Sequence, residues 1–144
     1  MTISGNLSPA DDAPVLPLQL LRVFLVEDCP RVRAVVTENL REIAGVDLAG
    51  FAETEDGALS WLRDHQCDVL ILDLELRQGT GIGVLKQLAT ETQPPDVMKI
   101  IYSNFAGENI RRLAAQCGAS YFFDKTLETP QLRRLLEVVS ASRE

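Results

Sequence analysis

The sequence predicts an α/β domain in which one open parallel sheet lies between two layers of helices. Short apolar runs recur five times along the chain, as expected for strands that are buried on both faces of a parallel sheet. Segments with helical periodicity follow the runs, and parallel neighbours need such crossover connections. With 144 residues, the chain has room for one domain of this kind.

The predicted strands are the apolar runs themselves. In chain order they are Val23–Val26, Val46–Phe51, Val69–Leu72, Ile100–Tyr102 and Tyr121–Phe123. The second run is the least apolar.

Each strand is followed by a segment whose apolar residues recur at helical spacing. The five stripes are Val32, Val35, Val36, Leu40 and Ile43; Ala58, Leu59 and Leu62; Val84, Leu85 and Leu88; Ile110, Leu113, Ala114 and Cys117; and Leu132, Leu135, Leu136 and Val139. Pro30 suits the first turn of its helix, and Thr54 is a predicted N-cap. Gly118 suits the position after a helix end, and Thr129 is the predicted cap before Pro130.

Residues 1–19 are predicted to be an N-terminal extension, and residues 20–144 to be the domain. The first stretch contains Gly5, Pro9, Pro14 and Pro17 among small and polar residues, which disfavours regular structure. It lacks the basic start and apolar stretch of a secretory signal. We therefore expect it to be poorly ordered or to lie along the surface.

Composition excludes several classes of function. The net charge of −7 and the pI near 4.7 argue against direct binding of nucleic acid, which needs a basic face. No apolar run approaches the roughly 20 residues that span a bilayer, so no membrane association is expected. The three cysteines are widely spaced, with no Cys-x-x-Cys pair, which favours free thiols in a reducing cytoplasm.

The informative polar residues stand where the predicted strands end. Glu27 and Asp28 follow the first run, Asp73 follows the third, Ser103 the fourth, and Lys125 comes just after the fifth. In open parallel sheets, ligands bind beyond the carboxyl ends of the strands. Taken together, these residues therefore indicate a functional site rather than ordinary caps and solvated charges.

The chemistry of such a site follows from its charges. Three carboxylates brought together repel one another, and a hard cation such as Mg²⁺ with oxygen ligands would relieve that repulsion. A carboxylate can also accept a phosphoryl group and form an aspartyl phosphate. Lys125 would then offset negative charge, and the hydroxyl of Ser103 would donate to a phosphoryl oxygen.

Four segments with these residues resemble the receiver domains of two-component response regulators, over about Leu20 to Ser140. They are VFLVED (Val23–Asp28), DVLILDLELRQGTGIGVL (Asp68–Leu85), IIYSN (Ile100–Asn104) and GASYFFDK (Gly118–Lys125). The resemblance implies a doubly wound, flavodoxin-like sheet of five parallel strands in the order 2-1-3-4-5, flanked by five helices. It also implies a stand-alone receiver, similar to the chemotaxis regulators.

The resemblance further implies roles for the residues around the acids. Asp73 stands at the phosphorylation site and also binds the metal, Mg²⁺ or Mn²⁺. Asp28 is a second metal ligand, Glu27 holds a metal-bound water, and Glu75 contributes its backbone carbonyl to the metal.

Three further positions match the family's switch machinery. Ser103 occupies the switch Ser/Thr position, and Lys125 occupies the lysine position of the family. Phe122 stands where a Tyr or Phe rotates between inactive and active states. Gly81 matches the glycine that opens the third helix.

The function implied is phosphorylation-activated signalling in the cytoplasm. A sensor histidine kinase or a histidine phosphotransfer protein would donate the phosphoryl group, with no enzyme activity beyond self-catalysed transfer and dephosphorylation. The output would be a downstream protein bound at the fourth helix, fifth strand and fifth helix (around Ile110, Arg111, Phe122 and Arg133), or a homodimer. The sole histidine, His65, is expected on the surface rather than as a phosphohistidine.

Two alternatives remain open from the sequence. One is a receiver-like interaction module that works without phosphate, although such a module has no need of the acids and the lysine. The other is a hydrolase that forms a transient aspartyl phosphate, since that chemistry uses an acid two residues past the nucleophile, where Glu75 stands.

The sequence departs from the family pattern at three places. Thr126 follows the lysine where many relatives have proline, Arg77 also replaces a proline, and Asn104 with Phe105 follows Ser103 where small residues are common. We expect Glu75 and Phe105 to tune the lifetime of the phosphate.

Overall fold

The computed structural model describes residues 20–91 and 96–143. Within them, five strands alternate with five helices, which confirms the predicted order of elements. The strands are β1 (Leu21–Val26), β2 (Val46–Ala52), β3 (Val69–Leu72), β4 (Met98–Ser103) and β5 (Tyr121–Asp124). The helices are α1 (Pro30–Arg41), α2 (Glu55–Asp64), α3 (Gly81–Ala89), α4 (Glu108–Gln116) and α5 (Thr129–Ala141). The predicted extension, residues 1–19, lies outside the described residues.

The strands form one parallel sheet in the order β2-β1-β3-β4-β5, as the resemblance implied. The strand order changes direction at β1 and β3, which lie side by side. Val26 pairs with Leu72 there, so the residues that follow these two strands emerge next to each other. Ser103 pairs with Asp124 at the other side, which brings the ends of β4 and β5 to the same edge.

Alternating side chains of the sheet build two cores, one on each face. Phe24, Val26, Leu70 and Leu72 point to the face that is covered by α2, α3 and α4. Leu25, Val69 and Ile71 point to the other face, under α1 and α5. Because β3 lies in the centre, all four of its residues are buried. This burial explains the continuous apolar run by which the strand is predicted.

Two residues of the predicted helical stripes are exposed rather than buried. Val35 in α1 is 51% exposed and Leu113 in α4 is 37% exposed. Each precedes a buried residue, Val36 and Ala114 respectively. Neighbouring positions on a helix point about 100° apart, so one member of such a pair points away from the sheet unless another element covers it, as in α3, where Val84 and Leu85 are both buried.

The predicted helix ends are correct at three positions and wrong at one. Pro30 is the first residue of α1, and Thr54 caps α2 by accepting a hydrogen bond from the N–H of Gly57. Gly118 follows α4 with a φ of 108°, a conformation that favours glycine. Thr129 is already inside α5, and its hydroxyl donates to the carbonyl of Lys125 instead of capping the helix.

None of the helices in residues 20–91 and 96–143 combines the length and the apolarity that crossing a bilayer requires. The three cysteines are free thiols, as predicted.

Candidate functional site

Three carboxylates meet where β1 and β3 end. The sheet hydrogen bonding continues one residue beyond each strand, since Glu27 donates its N–H to Ala52 and Asp73 donates its N–H to Val26. Glu27, Asp28 and Asp73 each offer a carboxylate oxygen, and these oxygens lie within 4.8 Å of one another. Glu27 and Asp73 are buried, and Asp28 is half-buried. The structure thus brings together the acids that the sequence singled out.

Lys125 extends into this acidic cluster from the end of β5. Its Nζ lies 2.8 Å from Oδ2 of Asp73 and 2.8 Å from Oε1 of Glu27. The lysine side chain is 11% exposed, so both ion pairs are largely shielded from water. Its backbone N–H donates to the carbonyl of Ser103, which ties the lysine to the end of β4.

The electrostatics of the cluster reflect an excess of negative charge. Burial raises the pKa of Glu27, although Lys125 and the N–H of Cys29 donate to its two oxygens. Burial by itself would lower the pKa of Lys125, but hydrogen bonds to Asp73 and Glu27 outweigh it and raise that pKa. The raised pKa of Glu27 thus comes first from burial and then from the charge of Asp73, whereas the raised pKa of Lys125 comes from its two carboxylate partners.

Glu27 therefore has a contact that the sequence did not indicate. The resemblance implied that it holds a metal-bound water, but here both of its oxygens accept hydrogen bonds from the protein. Its role toward a metal stays a prediction. So does that of Glu75, which is exposed and whose N–H lies 3.4 Å from Oδ1 of Asp73.

The predicted switch residues lie on the two neighbouring strands. Ser103 is buried, and its Oγ accepts a hydrogen bond of 3.3 Å from the N–H of Phe105. Phe122 is half-buried and pairs with Ile101 of β4. Its ring packs against the core on the side of α4. Their movement on phosphorylation stays a prediction.

Arg111, in α4, is predicted from the sequence only as part of the output surface, and the structure adds contacts that the sequence did not indicate. Its guanidinium donates to the carbonyls of Ala106 and Phe122 and to Oε1 of Glu128, at 2.9, 3.2 and 2.7 Å. It also lies over the ring of Phe122, 4.7 Å from the centroid. Hydrogen bonds from Arg111 and from the N–H of Asp124 lower the pKa of Glu128. No local pattern could predict these contacts, since the partners lie up to 17 residues away.

The residues that depart from the family pattern lie at the rim of the site, where several of them contact one another or neighbouring side chains. The hydroxyl of Thr126 lies 3.4 Å from Oδ1 of Asn104 and so links the loops that follow β4 and β5. Arg77 pairs with Glu53, which also pairs with Arg33 at 2.9 Å. Phe105 is 52% exposed.

His65 is exposed and stacks on Trp61, in agreement with its predicted surface position.

Comparison with known proteins agrees with this geometry. The sequence profile of the response regulator receiver domain matches residues 23–137. Response regulator UvrY of Escherichia coli is 30% identical over 86% of this chain and 53% of its own length. A protein-glutamate methylesterase/protein-glutamine glutaminase of Desulfotalea psychrophila is 31% identical over 75% of this chain and 30% of its own length. The chain thus spans about half or less of these curated relatives.

Among solved structures, the response regulator domain of Thermotoga maritima CheB superposes with a TM-score of 0.72. That alignment has 23% sequence identity and covers 85% of this chain and 95% of the other, so it supports the fold. The profile match, in contrast, extends over most of the sequence and includes every residue of the acidic cluster and its lysine. The chain belongs to the response regulator receiver domain family.

Proposed function

We propose that this chain is a phosphorylation-activated receiver of a two-component system or phosphorelay, in which Asp73 accepts the phosphoryl group. The observation that carries the proposal is the buried contact between Asp73 and Lys125, beside the carboxylates of Glu27 and Asp28. A carboxylate buried in an apolar sheet edge with a lysine and further acids is what aspartyl phosphate chemistry needs. Membership of the receiver family supports the same assignment.

The residues present fit a divalent cation. Three carboxylates face one ammonium group in the described part of the chain, which leaves two negative charges. Mg²⁺ or Mn²⁺ would balance them, and we propose Asp28, Asp73 and the backbone carbonyl of Glu75 as its ligands, with Glu27 acting through water. Such an ion takes oxygen ligands and keeps several waters. When bound, it supplies positive charge that neutralises phosphoryl oxygens during transfer.

The reaction we propose is phosphoryl transfer from a histidine of a kinase or phosphotransfer protein. The P–N bond of the donor breaks, its electron pair returns to the imidazole nitrogen, and an oxygen of Asp73 forms the new P–O bond. Lys125 keeps its proton at neutral pH because its pKa is raised, and its positive charge stabilises the added negative charge. The hydroxyl of Ser103 would donate to a phosphoryl oxygen.

The output is proposed to pass through the surface of α4, β5 and α5. A backbone hydrogen bond joins Lys125 to Ser103 at the ends of β5 and β4, and Phe122 of β5 pairs with β4, so the proposed site and Phe122 share the same two strands. We propose that Phe122 changes its packing when Asp73 is phosphorylated, and that a downstream protein or a second copy of the chain binds the altered face. This is a shift between two packings that local charge biases. We place this signalling in the cytoplasm.

Incubation with Mg²⁺ and acetyl phosphate, followed by intact mass measurement, tests the proposal. Wild type should gain the mass of one phosphoryl group, and Asp73→Asn should not. Chelation of the metal should abolish the gain, and Asp28→Asn should weaken it. A wild-type protein that is never labelled, by acetyl phosphate or by a panel of histidine kinases, would contradict the proposal and favour an interaction module that works without phosphate.

Turnover of phosphate esters is the assay that separates the receiver from an enzyme. A hydrolase would release phosphate continuously from phosphate esters, whereas a receiver turns over only its own acyl phosphate. The methylesterase relative bears an enzyme name, but this chain matches 30% of it, the receiver part. We therefore propose no catalytic activity beyond self-phosphorylation and dephosphorylation.

A further inference from the structure

The loop between β3 and α3, residues 74–80, leads directly from Asp73 and is closed on itself. Glu75 and Thr80 form an antiparallel bridge, and the N–H of Gly81 donates to the carbonyl of Leu74. The N–H of Glu75 lies 3.4 Å from Oδ1 of Asp73. Because the loop is a closed turn, a displacement of Thr80 moves Glu75 and the surroundings of Asp73 with it.

Three hydrogen bonds join the first turn of α2 to this loop. The N–H of Glu55 donates to the carbonyl of Gln78 at 2.9 Å, and the N–H of Asp56 donates to Oε1 of Gln78 at 3.1 Å. In return, the N–H of Thr80 donates to the carboxylate of Glu55 at 3.0 Å. Only the last of these bonds depends on a side chain of α2, so Glu55 is the residue that a substitution can remove.

Two glycines leave the space that the Glu55 side chain fills. A Cβ added at Gly79 would overlap Cβ and Oε1 of Glu55, and one added at Gly83 would overlap its carboxylate. Gly79 also has a φ of 76°, which favours glycine. The carboxylate lies at the N-terminus of α3, where the helix dipole stabilises negative charge. Thr80 uses its own hydroxyl to cap Gly83, so it does not replace this contact.

We propose that Glu55 is a positioning residue for the reaction at Asp73: its side chain, seated on Gly79 and Gly83, holds the loop that carries Glu75. The inference rests on the proposed function. Its physical basis is preorganisation, since a displacement of about 1 Å in a site can slow a reaction by about a hundredfold. The Glu55 side chain contacts Thr80, Gly79 and Gly83, and among the described residues it forms no hydrogen bond or ion pair with the acids of the cluster, so its effect would pass through the loop.

Glu55→Ala, Glu55→Gln and the control Asp56→Ala test the inference. Asp56 is the matched control because it is exposed, lies in the same helical turn and has the same charge, while only its backbone contacts the loop. We expect Glu55→Ala to lower the rate of phosphorylation by acetyl phosphate about tenfold. Glu55→Gln keeps an acceptor of the same length for Thr80 and should stay within about threefold of wild type. Asp56→Ala should be unaffected.

Two further readouts separate positioning from folding. Exchange of the Thr80 amide hydrogen should accelerate in Glu55→Ala but not in Asp56→Ala, and Mg²⁺ should bind Glu55→Ala more weakly in titrations of the unphosphorylated protein. Gly83→Ala should reproduce the slow phosphorylation without loss of stability, because its methyl group displaces the carboxylate while alanine favours the helix.

Equal phosphorylation rates in Glu55→Ala and Asp56→Ala would overturn the inference, as would a Glu55→Gln variant as slow as Glu55→Ala. If wild type takes up no phosphoryl group, the proposed function fails instead. The Thr80 exchange and the Mg²⁺ titration then still decide on Glu55, since neither requires phosphorylation.

Discussion

Replacing Lys125 by methionine removes the ammonium group that Glu27 and Asp73 share and keeps a side chain of similar length. Nζ lies 2.8 Å from an oxygen of each carboxylate. At this separation, each pair attracts by about 6 kcal/mol if the effective dielectric constant is about 20. The ammonium group loses hydration when it is buried, which offsets part of this attraction. Removing one partner of a buried ion pair therefore lowers the free energy of unfolding by about 3–5 kcal/mol.

We expect the lower end of that range for Lys125→Met, a fall of about 3 kcal/mol in the free energy of unfolding at pH 7 without metal. Glu27 limits the loss because it can take up a proton when its partner is gone. Its pKa is already raised by burial, so the proton binds readily. The loss should therefore shrink as the pH is lowered, and it should be smaller by about 1 kcal/mol or more in a Glu27→Gln background.

Urea unfolding measures these differences through the fluorescence of Trp61, the single tryptophan, whose ring stacks on Phe24 at 3.9 Å. Lys86→Met is the control, because Lys86 is an exposed lysine of α3. It should change stability by less than about 0.5 kcal/mol. The reasoning is refuted if Lys125→Met is as stable as Lys86→Met at pH 7, or if its loss is the same with and without Glu27.

Three further predictions concern other parts of the molecule. The hydrogen bond from Arg111 lowers the pKa of Glu128 below its ordinary value of 4.5, so this pair stabilises the protein above that pH and is lost as the pH falls through the lower, folded value. Glu128→Gln should therefore be less stable by up to about 1 kcal/mol at pH 7. Urea unfolding should show that the stability difference between Glu128→Gln and wild type vanishes in acid. A stability difference that does not depend on pH would contradict this prediction. Gly81→Ala places a methyl group against the backbone oxygen of Asp73 and should lower the free energy of unfolding by about 1–3 kcal/mol, whereas an unchanged urea midpoint would be inconsistent with the packing. Burial raises the pKa of Cys67 to about 11, so iodoacetamide at pH 8 should modify this thiol only after the protein unfolds. Mass spectrometry measures the modification, and equally fast modification of Cys67 in the folded and unfolded protein would contradict the prediction.

Much of the fold could be read from the sequence because its signals are local. A run such as Val69–Leu72 is apolar on both sides since it lies in the middle of the sheet, and the run alone indicates a buried strand. Caps such as Thr54 depend on atoms within one helical turn. The functional site could be predicted from the sequence for a related reason. Parallel strands gather their carboxyl ends at one edge, so polar residues that follow successive strands, such as Asp28 and Asp73, are expected to meet.

Strand order, by contrast, came from the family resemblance, because periodicity shows where strands are and not which strands are neighbours. The amphipathic stripes also overestimated burial. Val35 and Leu113 satisfy helical spacing, yet both are exposed, since the direction in which a helix faces its sheet is set by the whole interface.

Only the tertiary structure decided which side chains touch within the site. Lys125 contacts both Glu27 and Asp73 although it is 52 residues from the latter. The Glu55 side chain fits over Gly79 because a loop from another part of the chain lacks a Cβ there. Such contacts depend on how rigid elements dock and on which rotamers the remaining space allows. The sequence alone determined the elements and the chemistry at their ends, and three-dimensional packing determined the partners.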